Sequence, residues 1–240
     1  MKRTVALILA LVLCLSLCAC GGKNNLQAAF DDSAKAFNYV TDAYIATNEF
    51  SQDVYEAWFQ GVNNRTDYDN ESELTDFADE MHIELVHIQQ AVANLYGKET
   101  YNYNDKAWEN LRFLYNNSYF SAWISVISEA YKCSGKAAAI SDDLEAAKNL
   151  MKQLSDQYAD YEHYPTLKKY FTNTLAFFDF CCNPEGSFEQ VKETFNSYRN
   201  NAREYFFDLN YVFCDSIGGI SDYTNEDETE ETTEATATIG

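Results

Sequence analysis

Apolar residues recur at spacings of three and four along nearly the whole chain after residue 26, and this pattern constrains the fold most. Such spacing puts apolar side chains on one face of an α-helix. The 240 residues include only two prolines and nine glycines but 18 tyrosines and 16 phenylalanines. That composition disfavours a turn-rich β-sandwich and low-complexity disorder. The sequence therefore predicts an all-α fold, an antiparallel bundle of five or six helices over residues 26–218.

Turn, capping and breaker residues divide this region into helices. The predicted spans are about 26–61, 70–97, 104–135, 141–161 and 165–182, with a last helix from residue 187. Polar Thr47 and Ser51 interrupt the first apolar stripe, which predicts one long helix, either continuous or broken near residue 48. Ser141-Asp142-Asp143 is predicted to cap the fourth helix, Pro165 to open the fifth after a reversal, and Ser187-Phe188-Glu189-Gln190 to form a capping box.

The first 20 residues have the pattern of an export signal. Met1-Lys2-Arg3 precedes a mostly apolar run from Val5 to Leu17, which is shorter than the roughly 18 residues that a transmembrane helix needs. The segment Leu17-Cys18-Ala19-Cys20 resembles the lipobox of bacterial lipoproteins. The resemblance implies that residues 1–19 are a cleaved signal peptide and that the sulfur of Cys20 carries a diacylglycerol.

The lipobox resemblance also implies where the protein works. Two acyl chains on Cys20 are enough for stable anchoring without a membrane-spanning helix. The expected location is the extracytoplasmic face of the cell membrane, with residues 20–25 as lipid anchor and short spacer. Plain secretion after Ala19 is the alternative. Both place the rest of the chain outside the cytoplasm.

The exported chain is strongly acidic. Removal of Lys2 and Arg3 with the signal leaves 15 basic against 38 acidic residues, a net charge of −23. Such a field repels phosphate backbones and anionic lipid headgroups, so we expect no nucleic acid partner. It favours cationic partners or metal ions, and high solubility is the alternative reading of the same charge. Residues 222–240 hold seven acidic side chains and no basic one. We therefore predict that residues 219–240 form a disordered acidic tail.

Four cysteines of the predicted bundle lie near helix ends. If Pro165 marks a reversal, the third and fifth helices end at the same pole, which predicts a disulfide from Cys133 to Cys181 or Cys182 and leaves Cys214 at the other pole. A reactive thiol is the alternative. It would need a depressed pKa, and few basic residues flank these positions.

The three histidines each follow a carboxylate at a spacing of three. Ferritin-like di-iron proteins direct such pairs inward, but His87 is predicted to point away from the apolar face of its helix, as does Asp79. The acidic run from Asp67 to Glu73 also departs from the EF-hand pattern. We therefore expect neither a metal site nor a cofactor.

The sequence points to no catalytic residue. The common hydrolase, zincin, nucleotide-binding and Cys-x-x-Cys signatures are missing from it. Tyr101 and Tyr103 flank Asn102 in a predicted loop and are candidate ligand contacts, whereas most other aromatic residues lie on core stripes. The expected function is a lipid-anchored, non-enzymatic binding or structural module whose partner is an unknown protein or envelope component. The alternatives are a small-ligand or metal carrier and an envelope enzyme.

Overall fold

The structure is a computed structural model that describes residues 2–63, 78–96 and 120–213. Its helices are α1 (Lys2–Asn63), α2 (Leu85–Tyr96), α3 (Phe120–Cys133), α4 (Lys136–Gln157), α5 (Tyr164–Cys182) and α6 (Phe188–Phe213). The described residues contain no strand, so the predicted all-α class is confirmed. Tyr101, Tyr103, Cys214 and the predicted tail lie outside them, as does the Cys20 side chain.

Two buried apolar clusters form the core. We call the one beside the N-terminal end of the bundle the proximal cluster and the other the distal cluster. Main side chains of the proximal cluster are Phe37, Leu154, Tyr170, Leu209 and Phe213. Those of the distal cluster include Phe50, Trp58, Ile88, Ile127, Tyr131, Ile140, Phe177 and Phe195.

The order of residues in the two clusters gives the direction of each long helix. Along α1 and α5 the chain passes from the proximal to the distal cluster, and along α4 and α6 it passes back. Helices α2 and α3 pack at the distal end. Helix α1 contacts α3, α4, α5 and α6 and is therefore the central element. This arrangement is compatible with the predicted antiparallel bundle.

Helix α1 is longer and more regular than its sequence predicts. The predicted single long helix is confirmed and the alternative break near residue 48 is wrong, because the helix is continuous from Lys2 to Asn63 and includes the expected spacer of residues 20–25. Both interrupting side chains are buried, and the Thr47 hydroxyl has no hydrogen-bond partner among the described residues, whereas Ser51 has two. The Ser51 hydroxyl donates to the Asn48 carbonyl at 2.7 Å, and the Asn48 side chain accepts a hydrogen bond from Arg199. The polar positions Asn48 and Ser51 therefore lie where α1 contacts α6.

The start of α4 also differs from prediction. It begins at Lys136, so Ser141-Asp142-Asp143 lies inside the helix and does not cap it. Gly135 adopts a left-handed conformation with φ 81°, which glycine reaches without a steric penalty. One such residue is enough to end α3 and start α4, and the alanines after Lys136 favour immediate helix formation. The predicted end of the third helix at Gly135 is confirmed.

The expected single helix of residues 70–97 is wrong, because a turn at residues 81–84 separates α2 from a helical segment at 78–80. The turn buries both Met81 and Ile83. Two predictions at other junctions are confirmed. Pro165 lies in the first turn of α5, and in the capping box the Ser187 amide donates to Gln190 Oε1 at 2.8 Å.

Candidate functional site

A buried carboxylate at the distal end of α1 is the most unusual polar group of the described residues. Asp53 is only 4 % exposed and lies one turn after Phe50, on the face of α1 that enters the distal cluster. Both of its oxygens have partners. Tyr131 of α3 donates to Oδ2 at 2.5 Å, and Nδ1 of His82 lies 3.4 Å from Oδ1.

These contacts set the protonation behaviour of the site. Burial raises the pKa of Asp53, while the hydrogen bonds from Tyr131 and His82 and the charge of Lys136 oppose that rise. Burial and the nearby Asp53 also raise the pKa of Tyr131. Its hydroxyl therefore stays protonated and acts as a donor to the carboxylate.

The aromatic ring of Tyr131 is held by contacts with two neighbouring side chains. It stacks on Phe50, with ring centroids 3.9 Å apart and an interplanar angle of 11°. The ammonium of Lys136 lies 5.2 Å from the centroid of the same ring, within the range of a cation–π contact. Helices α1, α3 and α4 thus meet around one tyrosine.

His82 is held in a backbone conformation that few non-glycine residues adopt. Its φ is 50°, in the left-handed region, where histidine is one of the better tolerated residues. Lys136 donates to the His82 carbonyl at 2.6 Å, and the His82 amide donates to the Asp79 carbonyl at 3.0 Å. The side chain is 76 % exposed. The turn therefore presents a positioned imidazole at the surface, in contact with a buried acid.

This arrangement can recognise a ligand through hydrogen bonding. If the carboxylate accepts from Nδ1–H, the neutral ring has its acceptor at Nε2. A hydrogen-bond donor or a cation can approach that nitrogen from solvent. Asp53 itself is too buried to touch a ligand and serves to position His82.

A second polar contact joins α1 to α6 between the two clusters. Arg199 donates from Nε to Asn48 Oδ1 at 2.7 Å and from Nη2 to Ser51 Oγ at 3.4 Å. The Tyr44 hydroxyl donates to the Arg199 carbonyl at 3.5 Å. These bonds fix the relative position of α1 and α6.

The predicted disulfide residues lie at the distal cluster. Cys181 is fully buried in it, and Cys133 and Cys182 pack against it. All three are free thiols in the structure, so the proposed pairing stays a prediction. Burial raises the pKa of each thiol, and Lys132 opposes the rise at Cys133 and Cys182. Raised pKa values do not favour a reactive thiolate.

The other histidines have separate, local partners. His87 Nε2 lies 3.9 Å from a Glu84 oxygen, and His163 Nε2 lies 3.2 Å from a Glu162 oxygen. Within the described ranges, no three acidic, histidine or cysteine side chains come together as metal ligands would. Among the residues whose side chains are described, no helix is long and apolar enough to cross a membrane.

Comparison with known proteins gives no relative: no protein-family model, curated protein or solved structure matches the chain.

Sequence reasoning missed Asp53 and the contact that it makes. A signal was present, because Asp53 falls between Phe50, Val54 and Ala57 at helical spacing and so lies within a buried stripe. The role of His82 had no such signal. It depends on the turn at residues 81–84, where an uninterrupted helix was expected.

Proposed function

We propose that the protein is a lipid-anchored, extracytoplasmic helical bundle that serves as a binding or structural module at the cell surface. One observation carries this proposal. The helix that contains the lipobox-like segment also forms the centre of the bundle, since α1 packs against α3, α4, α5 and α6. A lipid on Cys20 would therefore be joined to the core by continuous helix, with the distal end held away from the membrane.

The distal end is the part of the molecule best suited to meet a partner. It carries His82 on a fixed turn, backed by Asp53 and by Lys136. A positioned side chain costs less entropy on binding than a mobile one. We infer that a partner docks on this end and that His82 forms a hydrogen bond with it.

The first experiment tests the anchor. The full-length chain is expressed in a bacterium and its N-terminal peptide is analysed by mass spectrometry. We expect cleavage before Cys20 and the added mass of a diacylglyceryl group. Cys20→Ser should abolish both, whereas the matched control Cys18→Ser should leave both unchanged. An unmodified Cys20 at the N-terminus would show plain secretion and refute the anchor.

The second experiment tests the binding surface. The mature chain is crosslinked in the cell envelope, and the crosslinked products are compared between wild type and His82→Ala. We expect His82→Ala to reduce a specific product, while His87→Ala, which changes a histidine without an Asp53 contact, leaves it intact. Equal products from the two variants would exclude His82 from the surface.

One observation favours the enzymatic alternative. A carboxylate that contacts Nδ1 of an imidazole is the arrangement found in general-base catalysis. The described contacts of His82, however, are to Asp53 and to backbone groups, and none is to a Ser, Thr or Cys nucleophile. We therefore rank recognition above catalysis as the role of this histidine.

A further inference from the structure

Exposed large apolar side chains lie at both ends of the bundle, and the two most exposed, Tyr211 and Leu26, lie at the proximal end. On the outer face of α6, Phe207 and Tyr211 are 44 % and 93 % exposed, and on α1 Leu26 is 62 % exposed. Arg203 lies over Phe207, with its guanidinium carbon 5.6 Å from the ring centroid. Because positions i, i+4 and i+8 share a helix face, Arg203, Phe207 and Tyr211 form one stripe, which we call the α6 ridge.

Contacts between α1 and α6 place Leu26 at the same end of the bundle as the α6 ridge. Phe213 packs against Phe30, with ring centroids 5.4 Å apart, so this face of α1 is turned towards α6. Leu26 lies one turn before Phe30 on that face. It is therefore a further exposed apolar side chain at the end of the bundle nearest to Cys20.

The lipid attachment point is close to this surface. At 1.5 Å per residue, Leu26 lies roughly 9 Å along α1 from Cys20, and Phe30 roughly 15 Å. A bundle tethered at Cys20 therefore needs only to lean towards α6 for the ridge to reach the bilayer surface. Aromatic side chains and arginine are the residues that favour the headgroup region.

We propose that the α6 ridge and Leu26 lie against the outer surface of the bilayer that holds the lipid anchor. This inference rests on the proposed anchoring, and it adds a second contact between protein and membrane. Interfacial burial of aromatic side chains supplies the attraction. Glu204 and Asp208 are exposed beside the ridge, so a zwitterionic surface suits it better than an anionic one.

The test uses the lipidated full-length protein in phosphatidylcholine vesicles, with hydroxyl-radical footprinting read by mass spectrometry. We expect oxidation of Tyr211, Phe207 and Leu26 to fall several-fold relative to the mature chain without lipid or signal peptide in solution. Val86 and Leu95, which are exposed on α2 at the distal end, should be oxidised equally in both samples. Equal oxidation of Tyr211 with and without vesicles would overturn the proposal.

A second arm separates this inference from the anchoring itself. The mature chain, tethered to nickel-chelating vesicles by an N-terminal polyhistidine tag, brings the same pole to a bilayer whether or not Cys20 is lipidated. Protection of Tyr211 in this sample would support the membrane contact even if mass spectrometry found no lipid. Protection that grows with protein concentration and needs no vesicles would indicate a second copy of the chain as the occupant, and would refute it.

Variants give an independent readout. Phe207→Ser combined with Tyr211→Ser should increase the rate at which the lipidated protein transfers to acceptor vesicles, because the second contact is lost. Val86→Ser combined with Leu95→Ser is the matched control and should leave the rate unchanged. Vesicles with added phosphatidylglycerol should protect the ridge less. Equal transfer rates for the two double variants would contradict the proposal.

Discussion

The proximal and distal clusters are filled by different kinds of contact. Around the proximal cluster, Phe37 meets Tyr170, Phe206 and Phe213 with ring centroids 5.5 to 6.0 Å apart. The distal cluster has aromatic packing too, but it also encloses the carboxylate of Asp53. The difference shows that a helical bundle can bury a carboxyl group at one end when neighbouring helices supply its hydrogen bonds.

The largest expected effect comes from removing the aromatic centre of the proximal cluster. Phe37 is fully buried, so Phe37→Ala should lower the free energy of unfolding by about 3–5 kcal/mol. Urea unfolding followed by far-UV circular dichroism measures the change. Phe207→Ala is the matched control on the exposed face of α6 and should change stability by less than about 0.5 kcal/mol. Equal losses would show that Phe37 does not fill a packed core.

Removing a tyrosine hydroxyl from each cluster tests the contrast directly. Tyr131→Phe takes away the donor 2.5 Å from Asp53 and should cost about 1–3 kcal/mol, because a buried acceptor loses its partner. Tyr170→Phe loses only a 3.5 Å contact with Thr41, near the limit of a hydrogen bond, and should cost less than about 1 kcal/mol. Chemical denaturation of both variants measures the two costs. The reverse order would contradict the proposed role of Asp53.

The raised pKa of Asp53 predicts a pH dependence with a definite sign. Its folded-state pKa lies above the ordinary value of 3.8, so the folded protein holds a proton that the unfolded chain releases. This contribution to stability is fully present below pH 3.8 and is lost as the pH rises through the raised pKa. Its size follows from the gap between the folded and unfolded pKa values, at about 1.4 kcal/mol for every tenfold difference in acidity.

The measurement compares wild type with Asp53→Asn, which does not titrate at this position. Wild type should lose stability relative to the variant as the pH rises through the window just above 3.8. Burial also raises the pKa of Asp42 and Asp143, but both proteins share those groups, so their contribution cancels in the difference. A flat difference, or one of opposite slope, would contradict the burial of Asp53.

The smallest expected effect concerns the backbone of the turn at His82. His82→Gly and His82→Ala both remove the ring, but only glycine fits a φ of 50° without crowding from Cβ. We expect the glycine variant to be more stable by about 1 kcal/mol. At Val86, which lies within α2, the order should reverse. Val86→Ala should be more stable than Val86→Gly by about 0.5–1 kcal/mol. The same order at both positions would argue against the left-handed turn.

The clusters also differ in how well the sequence predicts them. Helical stripes predicted the proximal residues of α4 correctly, because Ala147, Met151 and Leu154 follow a regular spacing and are buried. At the distal end, the turn at His82 was not predicted. It depends on a hydrogen bond from Lys136, 54 residues further along the chain, and periodicity carries no information about such a contact.

The sequence predicted helix boundaries correctly where a single residue constrains its own backbone dihedral angles. It failed where contacts between helices determine whether a helix continues. Pro165 and Gly135 act on their own dihedral angles, so their positions marked true boundaries. Ser141 and Ser51 look like a helix cap and a helix break, yet both lie inside helices. The Ser51 hydroxyl donates to the Asn48 carbonyl and accepts a hydrogen bond from Arg199 of α6, so this polar group is satisfied within a continuous helix.

One helix joins the two ends of the molecule, and this has a mechanical consequence. From Cys20 to Asn63 the helix spans roughly 66 Å at 1.5 Å per residue. If Cys20 carries the proposed lipid, a partner that pulls on the distal end would load this helix along its axis, with the acyl chains resisting at the other end. The load would pass as shear into α4, α5 and α6, which pack against α1 in both clusters. The protein would then transmit force between a surface partner and the bilayer without a flexible joint.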